Sequence, residues 1–306
     1  MTTGIPTGVT TTDSPIAAIR ADTIGFLGGG HMGRALVAAL RRQGHPAARI
    51  IVGEPAADAR VALERDFGVR TTADNLAVAE TAGILVLAVK PQDMASALQP
   101  LQATLSRRRP LIVSIAAGLT VGQLRALCGA GAAEGAPLAV ARAMPNRPAL
   151  SGLGATGLYA PPDVPAEART RTEAVLGAAG MVAWIDIESL MDAVTAVSGS
   201  GPAYFFRLAE ALADAGRAQG LPADVATRLA AATLAGAGAM AAADTDLAGL
   251  RAAVTSRGGT TAAALATFEA GGLERLVAEA VESATRRGRE LAQAAQTAPY
   301  GTVKRG

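Results

Sequence analysis

The sequence predicts an α/β fold in its first part and an all-helical fold in its second part. Short β-branched runs alternate with amphipathic helical stretches from Thr23 onward, and this βαβα order predicts a doubly wound parallel sheet. After Trp184 the strand-like runs end, and Ala- and Leu-rich helical periods continue to about Ala295. A chain of 306 residues usually forms two domains. We therefore expect a sheet domain over residues 22–184 and a helical domain over residues 185–306.

The strands of the sheet domain are predicted from runs of apolar residues. Thr23 to Leu27 and Arg49 to Val52 read as strands, and the helical period after each ends near a glycine. Ile84 to Val89 and Leu111 to Ile115 are almost continuously apolar. Continuous apolar runs are typical of strands that are buried on both faces of a parallel sheet. The sheet is therefore expected to carry helices on both sides.

Composition excludes several classes of function. The single cysteine, Cys128, permits neither an internal disulfide framework nor a thiolate metal cluster within one chain, so we expect no metal site. The formal net charge is +2 and no block of five or six like charges occurs, so we expect no nucleic-acid partner. The apolar runs are too short or too often interrupted to span a bilayer, so we expect no membrane insertion.

The first residues carry no targeting signal. Residues 1–21 are rich in Thr, Pro and Gly and lack both a basic segment and an apolar core. We expect these residues to form a disordered leader and the protein to be cytoplasmic.

Side chains for proton transfer are scarce. Lysine occurs only at positions 90 and 304, and histidine only at positions 31 and 45. Mechanisms that need a lysine base, a Schiff base or a histidine-centred triad therefore have few candidates. The reaction is expected to need little proton chemistry from the protein.

A glycine-rich motif marks the first turn of the sheet domain. Residues 28–33 read Gly-Gly-Gly-His-Met-Gly, directly after a predicted strand and at the start of a predicted helix. Gly28 permits a tight turn, Gly30 lets the backbone approach a pyrophosphate, and Gly33 lets the helix pack closely on the strand. This context favours dinucleotide binding over a purely structural glycine turn.

An acidic residue ends the second predicted strand. Glu54 lies 21 residues after Gly33, where a carboxylate commonly accepts hydrogen bonds from the adenosine ribose and favours NAD(H). An equally good interpretation is a solvated carboxylate beside Pro55 that stabilises the N-terminus of the next helix. Both interpretations stay open at this point.

Two further segments follow predicted strands. Ala88-Val89-Lys90-Pro91 ends a buried strand, at the edge of the sheet where ligands bind in such folds. We favour a cofactor role for Lys90 over that of an ordinary surface residue. The segment Met144 to Pro148 follows another apolar run and either lines the nicotinamide end of the cleft or is simply a rigid loop.

In the helical part, residues 256–261 read Ser-Arg-Gly-Gly-Thr-Thr just before a helical period. Free backbone N–H groups and hydroxyls at a helix start suit a carboxylate ligand. The alternative is an ordinary N-cap formed by Ser256 or Thr260.

Taken together, these segments resemble the pyrroline-5-carboxylate reductase family. The matching segments cover residues from about 23 to 290 in the family's order. They are Gly28 to Gly33 with Ala35, Asn75, Ala88 to Gln92, Ala116 to Thr120, Met144 to Pro148, Met191 to Tyr204 and Val254 to Thr261.

The resemblance implies a Rossmann domain that binds NADPH or NADH, and a helical dimerisation domain that supplies the site for a cyclic imine acid. It implies a homodimer or a larger homo-oligomer such as a ring of dimers. Motif and resemblance together give these candidate cofactor residues: Gly28, Gly30, His31, Met32, Gly33, Glu54, Asn75, Ala88, Val89, Lys90, Pro91, Ala117 and Asn146. The implied substrate residues are Ser256, Gly258, Gly259, Thr260 and Thr261, with the Thr261 hydroxyl near the ring nitrogen as the catalytic group.

Three positions depart from the family pattern. His31 replaces the usual Asn or Gln, Arg147 replaces Thr, and Arg257 replaces Pro. Arg147 and Arg257 leave open a related reductase for another acid. A non-catalytic nucleotide-sensing module would keep the glycine motif but has no reason to keep residues 256–261.

Overall fold

The structure is a computed structural model, and it describes residues 15–129 and 137–297. Within these residues, eight strands form one sheet. They are β1 (Ile24–Leu27), β2 (Ile50–Gly53), β3 (Arg70–Thr72), β4 (Ile84–Leu87), β5 (Leu111–Ser114), β6 (Val140–Met144), β7 (Gly154–Tyr159) and β8 (Gly180–Trp184).

The helices of the sheet region are α1 (His31–Arg42), α2 (Ala57–Phe67), α3 (Asn75–Thr81), α4 (Met94–Leu98), α5 (Gln102–Arg108), α6 (Val121–Leu127) and α7 (Ala166–Gly177). They are followed by α8 (Met191–Val194), which continues as a π-helical turn (Thr195–Gly199), and then by α9 (Gly201–Ala218), α10 (Ala223–Ala243), α11 (Leu247–Ala253), α12 (Thr260–Ala270) and α13 (Leu273–Thr297). No strand follows Trp184 within the described residues, as the sequence predicts.

The strand order is β3-β2-β1-β4-β5-β6-β7-β8. The first six strands are parallel, and β7 joins β6 in the antiparallel sense while β8 runs parallel to β7. The order reverses between β1 and β4, and ligands bind in such sheets outside the carboxyl ends of the strands at this switch point. The topology therefore places the glycine motif and residues 88–91 at one edge.

The core lies on both faces of this sheet. One buried cluster contains Phe26 and Val86 together with residues of α1 and α7, such as Leu36 and Val175. The other cluster contains Leu85 and residues of α3 to α6. Alternate strand residues point to opposite faces, so the fully buried strands β1, β2, β4 and β5 need apolar side chains on both faces. The predicted doubly wound sheet is confirmed.

The predicted disordered leader is wrong for residues 15–21. Pro15–Ile19 forms a 3-10 turn, and Ile16 and Ile19 are buried in the core cluster that contains α7. Nearby, both carboxylate oxygens of Asp22 bond to the guanidinium of Arg171 on α7, at 2.5 and 3.1 Å. Apolar contacts therefore order this segment in spite of its composition. Residues 1–14 of the predicted leader lie outside the described residues.

The described chain divides into two compact units, of which the second comprises Ser200–Arg287 and the first the other described residues. The second unit is thus smaller than the predicted helical domain, because residues 185–199 and 288–297 belong to the first unit. In the second unit, α9 and α10 pack together through a turn at Gly220, whose φ is 94°. Many large apolar side chains of this unit are exposed in the single chain, among them Phe205, Phe206 and Leu229. By length and composition alone, α10 could cross a membrane. Only 6% of its most apolar 18-residue stretch is buried inside the structure.

Candidate active site

The glycine loop between β1 and α1 is built by close backbone approach. Gly28 has φ 101°, and a Cβ there would lie 2.9 Å from the carbonyl oxygen of Ala88. A Cβ at Gly33 would lie 2.6 Å from the Gly28 carbonyl oxygen. At Gly30, in contrast, a Cβ would meet nothing within 4 Å. Gly28 and Gly33 are therefore needed by the fold, whereas Gly30 borders open space.

That open space faces the start of α1. Gly30 is the N-cap residue, and no side chain caps the helix. The first N–H groups of a helix have no intrahelical acceptor and attract anions. The space at the start of α1 therefore fits a dinucleotide pyrophosphate. His31 is exposed in the first turn, while Met32 packs partly against the core.

Glu54 lies between the glycine loop and α2. Its Oε2 accepts a hydrogen bond from the Gly29 N–H at 2.9 Å, and its Oε1 accepts one from the Ala56 N–H at 3.0 Å. Ala56 is the N-cap residue of α2. The carboxylate thus supports the helix start, as one interpretation predicted, and it also lies against the dinucleotide loop, as the other requires.

Other predicted cofactor residues lie at the carboxyl edge of the sheet. The Ala88 N–H donates to the Leu27 carbonyl at 2.8 Å, which brings the loop after β4 beside the glycine loop. Asn75 begins α3 over the end of β2, since a Cβ at Gly53 would lie 2.3 Å from its Oδ1. Ala117 is exposed in the loop after β5.

Lys90 and Pro91 begin the turn that follows β4. Pro91 opens a 3-10 turn, and the backbone of Lys90 is extended at its N-cap. Lys90 is exposed, and the described residues provide no partner for its ammonium group. Val89 packs partly against the core beneath the turn. The lysine is therefore free to reach a ligand.

Asn146, a predicted cofactor residue, forms two hydrogen bonds within the protein. Its Nδ2 donates to the Ser198 carbonyl at 2.9 Å, and its Oδ1 accepts from the Ala155 N–H at 2.9 Å. Both polar atoms of the buried side-chain amide are therefore hydrogen-bonded to backbone groups. Asn146 ties the loop after β6 to the π-helical turn and acts as a positioning residue.

An ion pair that the sequence reasoning missed lies close by in the sheet. Arg142 on β6 donates through Nη1 to Oε1 of Glu188 at 2.9 Å, and the same oxygen accepts the Val121 N–H at 2.7 Å. Arg142 is buried. The signal that could have revealed it was a single arginine inside the apolar run Val140–Met144, since a buried charge requires a partner.

In the second unit, residues 256–261 form a tight turn into α12. The N-cap residue of α12 is Gly259, and no side chain caps the helix, so the predicted alternative of a Ser256 or Thr260 N-cap is wrong. Gly258 has φ 69°, and a Cβ at Gly259 would lie only 2.4 Å from the Ser256 Oγ. The first N–H groups of α12 are left for a ligand.

Two buried groups away from these residues have shifted pKa values. Burial raises the pKa of the Cys128 thiol to about 12, so this cysteine is no nucleophile at neutral pH. Burial also lowers the pKa of His45, against the opposing charge of Asp22. Neither residue was predicted as catalytic.

Comparison with known proteins decides the family. A family model described as pyrroline-5-carboxylate reductase dimerisation matches residues 188–291, and one described as NADP oxidoreductase, coenzyme F420-dependent, matches residues 23–118. The chain is 43% identical over 271 residues to the pyrroline-5-carboxylate reductase of Pseudomonas aeruginosa, across 88% of this chain and 97% of that protein. The chain belongs to the pyrroline-5-carboxylate reductase family.

Other members of the family agree with this assignment. The reductase of Vibrio alginolyticus is 40% identical over 88% of this chain and 97% of its own length. Among solved structures, the reductase of Coxiella burnetii matches with a TM-score of 0.83 and 36% identity, over 88% of this chain and 98% of that one. A Plasmodium falciparum reductase with NADP bound matches with a TM-score of 0.74 and 27% identity, over 89% and 99%. The predicted family and fold class are confirmed.

Proposed function

We propose that this chain is a pyrroline-5-carboxylate reductase, which reduces the cyclic imine of 1-pyrroline-5-carboxylate to L-proline with NADPH or NADH. The observation that carries the proposal is the uncapped start of α12 at residues 256–261, in a chain whose first unit holds a dinucleotide loop. A nucleotide-sensing module would need only the second of these features. Residues 22–184 form the dinucleotide domain and residues 185–306 the substrate and dimerisation domain in this proposal.

The cofactor would bind along the carboxyl edge of the sheet. Its pyrophosphate would be held by Gly28, Gly30, His31, Met32 and Gly33, because the N-terminus of α1 is open to an anion there. Further along the edge, Glu54 and Asn75 would border the adenosine ribose. The nicotinamide end would be bordered by Ala88, Val89, Lys90, Pro91 and Ala117, in loops that Asn146 helps to position.

The substrate carboxylate binds at the start of α12. Gly258 and Gly259 shape the turn, and the free N–H groups there donate to the carboxylate together with the hydroxyls of Ser256 and Thr260. The described residues provide no partner for the Thr261 hydroxyl, which we place near the ring nitrogen. When bound, NAD(P)H supplies the hydride that the imine carbon accepts.

A protonated imine is already electrophilic. The reaction therefore needs positioning and charge complementarity more than a strong protein acid. This requirement agrees with a chain that has two histidines, of which His45 is fully buried.

The functional unit is at least a homodimer, and a ring of dimers is the larger form we expect. The region that matches the dimerisation model exposes large apolar side chains in the single chain, including Phe205, Phe206 and Leu229. A second copy that covers them accounts for the apolar, exposed α10 without a membrane. We propose a cytoplasmic enzyme without a nucleic-acid partner.

The direct test of this proposal measures cofactor oxidation and proline formation with the same substrate. Purified protein is incubated with pyrroline-5-carboxylate and either NADH or NADPH, and cofactor oxidation is followed while proline is measured by mass spectrometry. We expect both signals to appear in equal amounts. Cofactor binding without proline formation would refute the proposal.

One alternative has support in specific residues. Arg147 and Arg257 are exposed, and neither forms an ion pair within the described residues. A reductase for another imine acid with an additional anionic group would use such arginines. The same assay with other cyclic imine acids separates the two: a higher kcat/KM for one of them would favour the alternative.

A further inference from the structure

We propose that Glu54 makes this chain select NADH over NADPH, because its carboxylate occupies the position that the 2′-phosphate of NADPH would need. This inference rests on the proposed function only in so far as the glycine loop binds a nicotinamide dinucleotide. It concerns the adenosine end of that cofactor and does not depend on the identity of the substrate.

The Glu54 carboxylate is fixed by two separate backbone donors. Gly29 in the dinucleotide loop donates to Oε2 at 2.9 Å, and Ala56 at the start of α2 donates to Oε1 at 3.0 Å. Glu54 itself continues from β2, where its N–H donates to the Thr72 carbonyl at 2.9 Å. The negative charge is therefore held against the glycine loop instead of extending into solvent.

Each carboxylate oxygen keeps further lone pairs that can accept the hydroxyls of an unmodified ribose. A 2′-phosphate replaces one hydroxyl by a group that bears between one and two negative charges and mainly accepts hydrogen bonds at neutral pH. It would therefore lose this hydrogen bond and be repelled by the carboxylate. The electrostatic effect favours NADH.

The nearby arginines do not offset this charge. Arg60 on α2 donates through Nη1 to the carbonyl oxygens of Glu54 and Pro55, each at 2.8 Å. Arg34 on α1 and Arg65 on α2 both pair with Asp66. These three guanidinium groups are already committed to protein acceptors, and a phosphate would have to displace those contacts.

The test measures binding as well as activity. Isothermal titration of the full-length protein with NADH, NADPH, AMP and 2′,5′-ADP gives four affinities at low salt and four at high salt. We expect tighter binding of NADH than of NADPH by about tenfold at low salt, with the same order for AMP over 2′,5′-ADP, which differ only by the 2′-phosphate. Because the effect is electrostatic, the ratio should shrink at high salt.

Two variants locate the cause. Glu54→Gln should lower the NADH:NADPH affinity ratio several-fold, since it removes the charge and keeps a hydrogen-bond acceptor. Asp58→Asn is the matched control, because Asp58 is an exposed carboxylate in the first turn of α2 and forms no hydrogen bond to the glycine loop. This control should leave the ratio unchanged.

A wild-type protein that binds NADPH as tightly as NADH would overturn the inference, even if Glu54→Gln failed to fold. So would a Glu54→Gln variant with the same ratio as Asp58→Asn. Proline formation is measured in parallel with both cofactors. Selective NADH binding without proline formation would refute the proposed function while leaving this inference intact.

Discussion

Arg142 and Glu188 form an ion pair that joins the sheet to the segment leading into the helical unit. Nη1 of Arg142 lies 2.9 Å from Oε1 of Glu188, and the side chains are 9% and 26% exposed. The same carboxylate oxygen accepts the N–H of Val121, the first residue of α6. The Nε of Arg142 is buried without a partner in the described chain. One carboxylate thus holds β6, α6 and the turn before α8 together.

The first prediction concerns this pair. Glu188→Ala leaves a buried guanidinium without its partner, and we expect the free energy of unfolding to fall by about 2 to 3 kcal/mol. Urea unfolding measures the change. Arg65→Ala is the control, because this exposed arginine shares Asp66 with Arg34, and we expect no measurable change. A Glu188→Ala variant as stable as the wild type would show that solvent or another acceptor replaces the carboxylate.

The second prediction concerns the pH dependence of stability. His45 is fully buried, and neither ring nitrogen has a hydrogen-bond partner in the described chain. Burial lowers its pKa from the ordinary value of 6.5, so the unfolded chain takes up the proton first as the pH falls. Stability from this residue is therefore complete above pH 6.5 and is lost progressively below it.

Urea unfolding between about pH 7.5 and about pH 5.5 checks this dependence, with a limiting slope of about 1.4 kcal/mol per pH unit for one proton. In His45→Gln the slope should decrease, while all other titrating groups remain and serve as the internal control. An identical slope in both proteins would contradict the prediction.

Much of the sheet could be predicted from the sequence, and the exceptions have a physical reason. β1, β2, β4 and β5 are buried on both faces and appear as apolar runs. β7 (Gly154–Tyr159) was not predicted, because its glycines interrupt the apolar pattern. Gly157 is required by tertiary packing, because a Cβ at this position would lie 2.5 Å from the Val194 Cγ1. Such packing leaves no local signal.

In the candidate site, too, some features could be predicted from the sequence and others could not. The glycine loop could be predicted, because its motif lies within six consecutive residues. The bonds of Asn146 to Ala155 and Ser198, and the pairing of Arg142 with Glu188 across 46 positions, depend on contacts between distant segments. A pattern within a short window cannot reveal them.

The third prediction separates cofactor binding from folding. Gly30 has φ −66° and space for a Cβ, so Gly30→Ala should fold with a stability change of less than about 1 kcal/mol. The added methyl group occupies the space at the start of α1, and the Kd for NADH should rise by about tenfold or more.

Titration calorimetry and urea unfolding measure these two effects. Gly177→Ala is the control, since this glycine at the end of α7 also has open space around it. It should keep full affinity and gain slightly in helix stability. Unchanged NADH affinity in Gly30→Ala would mean that the pyrophosphate lies elsewhere.

The fourth prediction concerns assembly. The wild type should be at least a dimer at micromolar concentration by light scattering. Leu229 on α10 is exposed in the single chain, and Leu229→Asp should shift the protein towards monomers, because each copy would bury a charge in the symmetric interface. Val61→Asp is the control, since Val61 is exposed on α2 outside the dimerisation region. A dimeric Leu229→Asp variant would exclude α10 from the interface.

The fifth prediction concerns the Thr261 hydroxyl. Thr261 is the second residue of α12, and the described residues provide no partner for its hydroxyl. Thr261→Ala removes one hydrogen bond to the substrate and leaves the backbone N–H groups in place. The loss should be about 1 to 2 kcal/mol, or about tenfold in kcat/KM, with unchanged cofactor affinity.

Steady-state kinetics with pyrroline-5-carboxylate and titration with NADH measure the two quantities separately. Thr261→Ser keeps the hydroxyl and should recover most of the activity. Thr267→Ala is a second control, because the Thr267 hydroxyl is already bonded to the Ala263 carbonyl at 3.2 Å and should not reach the substrate. If Thr261→Ala instead lowers NADH affinity, the start of α12 contacts the cofactor. If Thr261→Ser is as impaired as Thr261→Ala, the methyl group of the threonine matters more than its hydroxyl, and the proposed contact with the ring nitrogen is wrong.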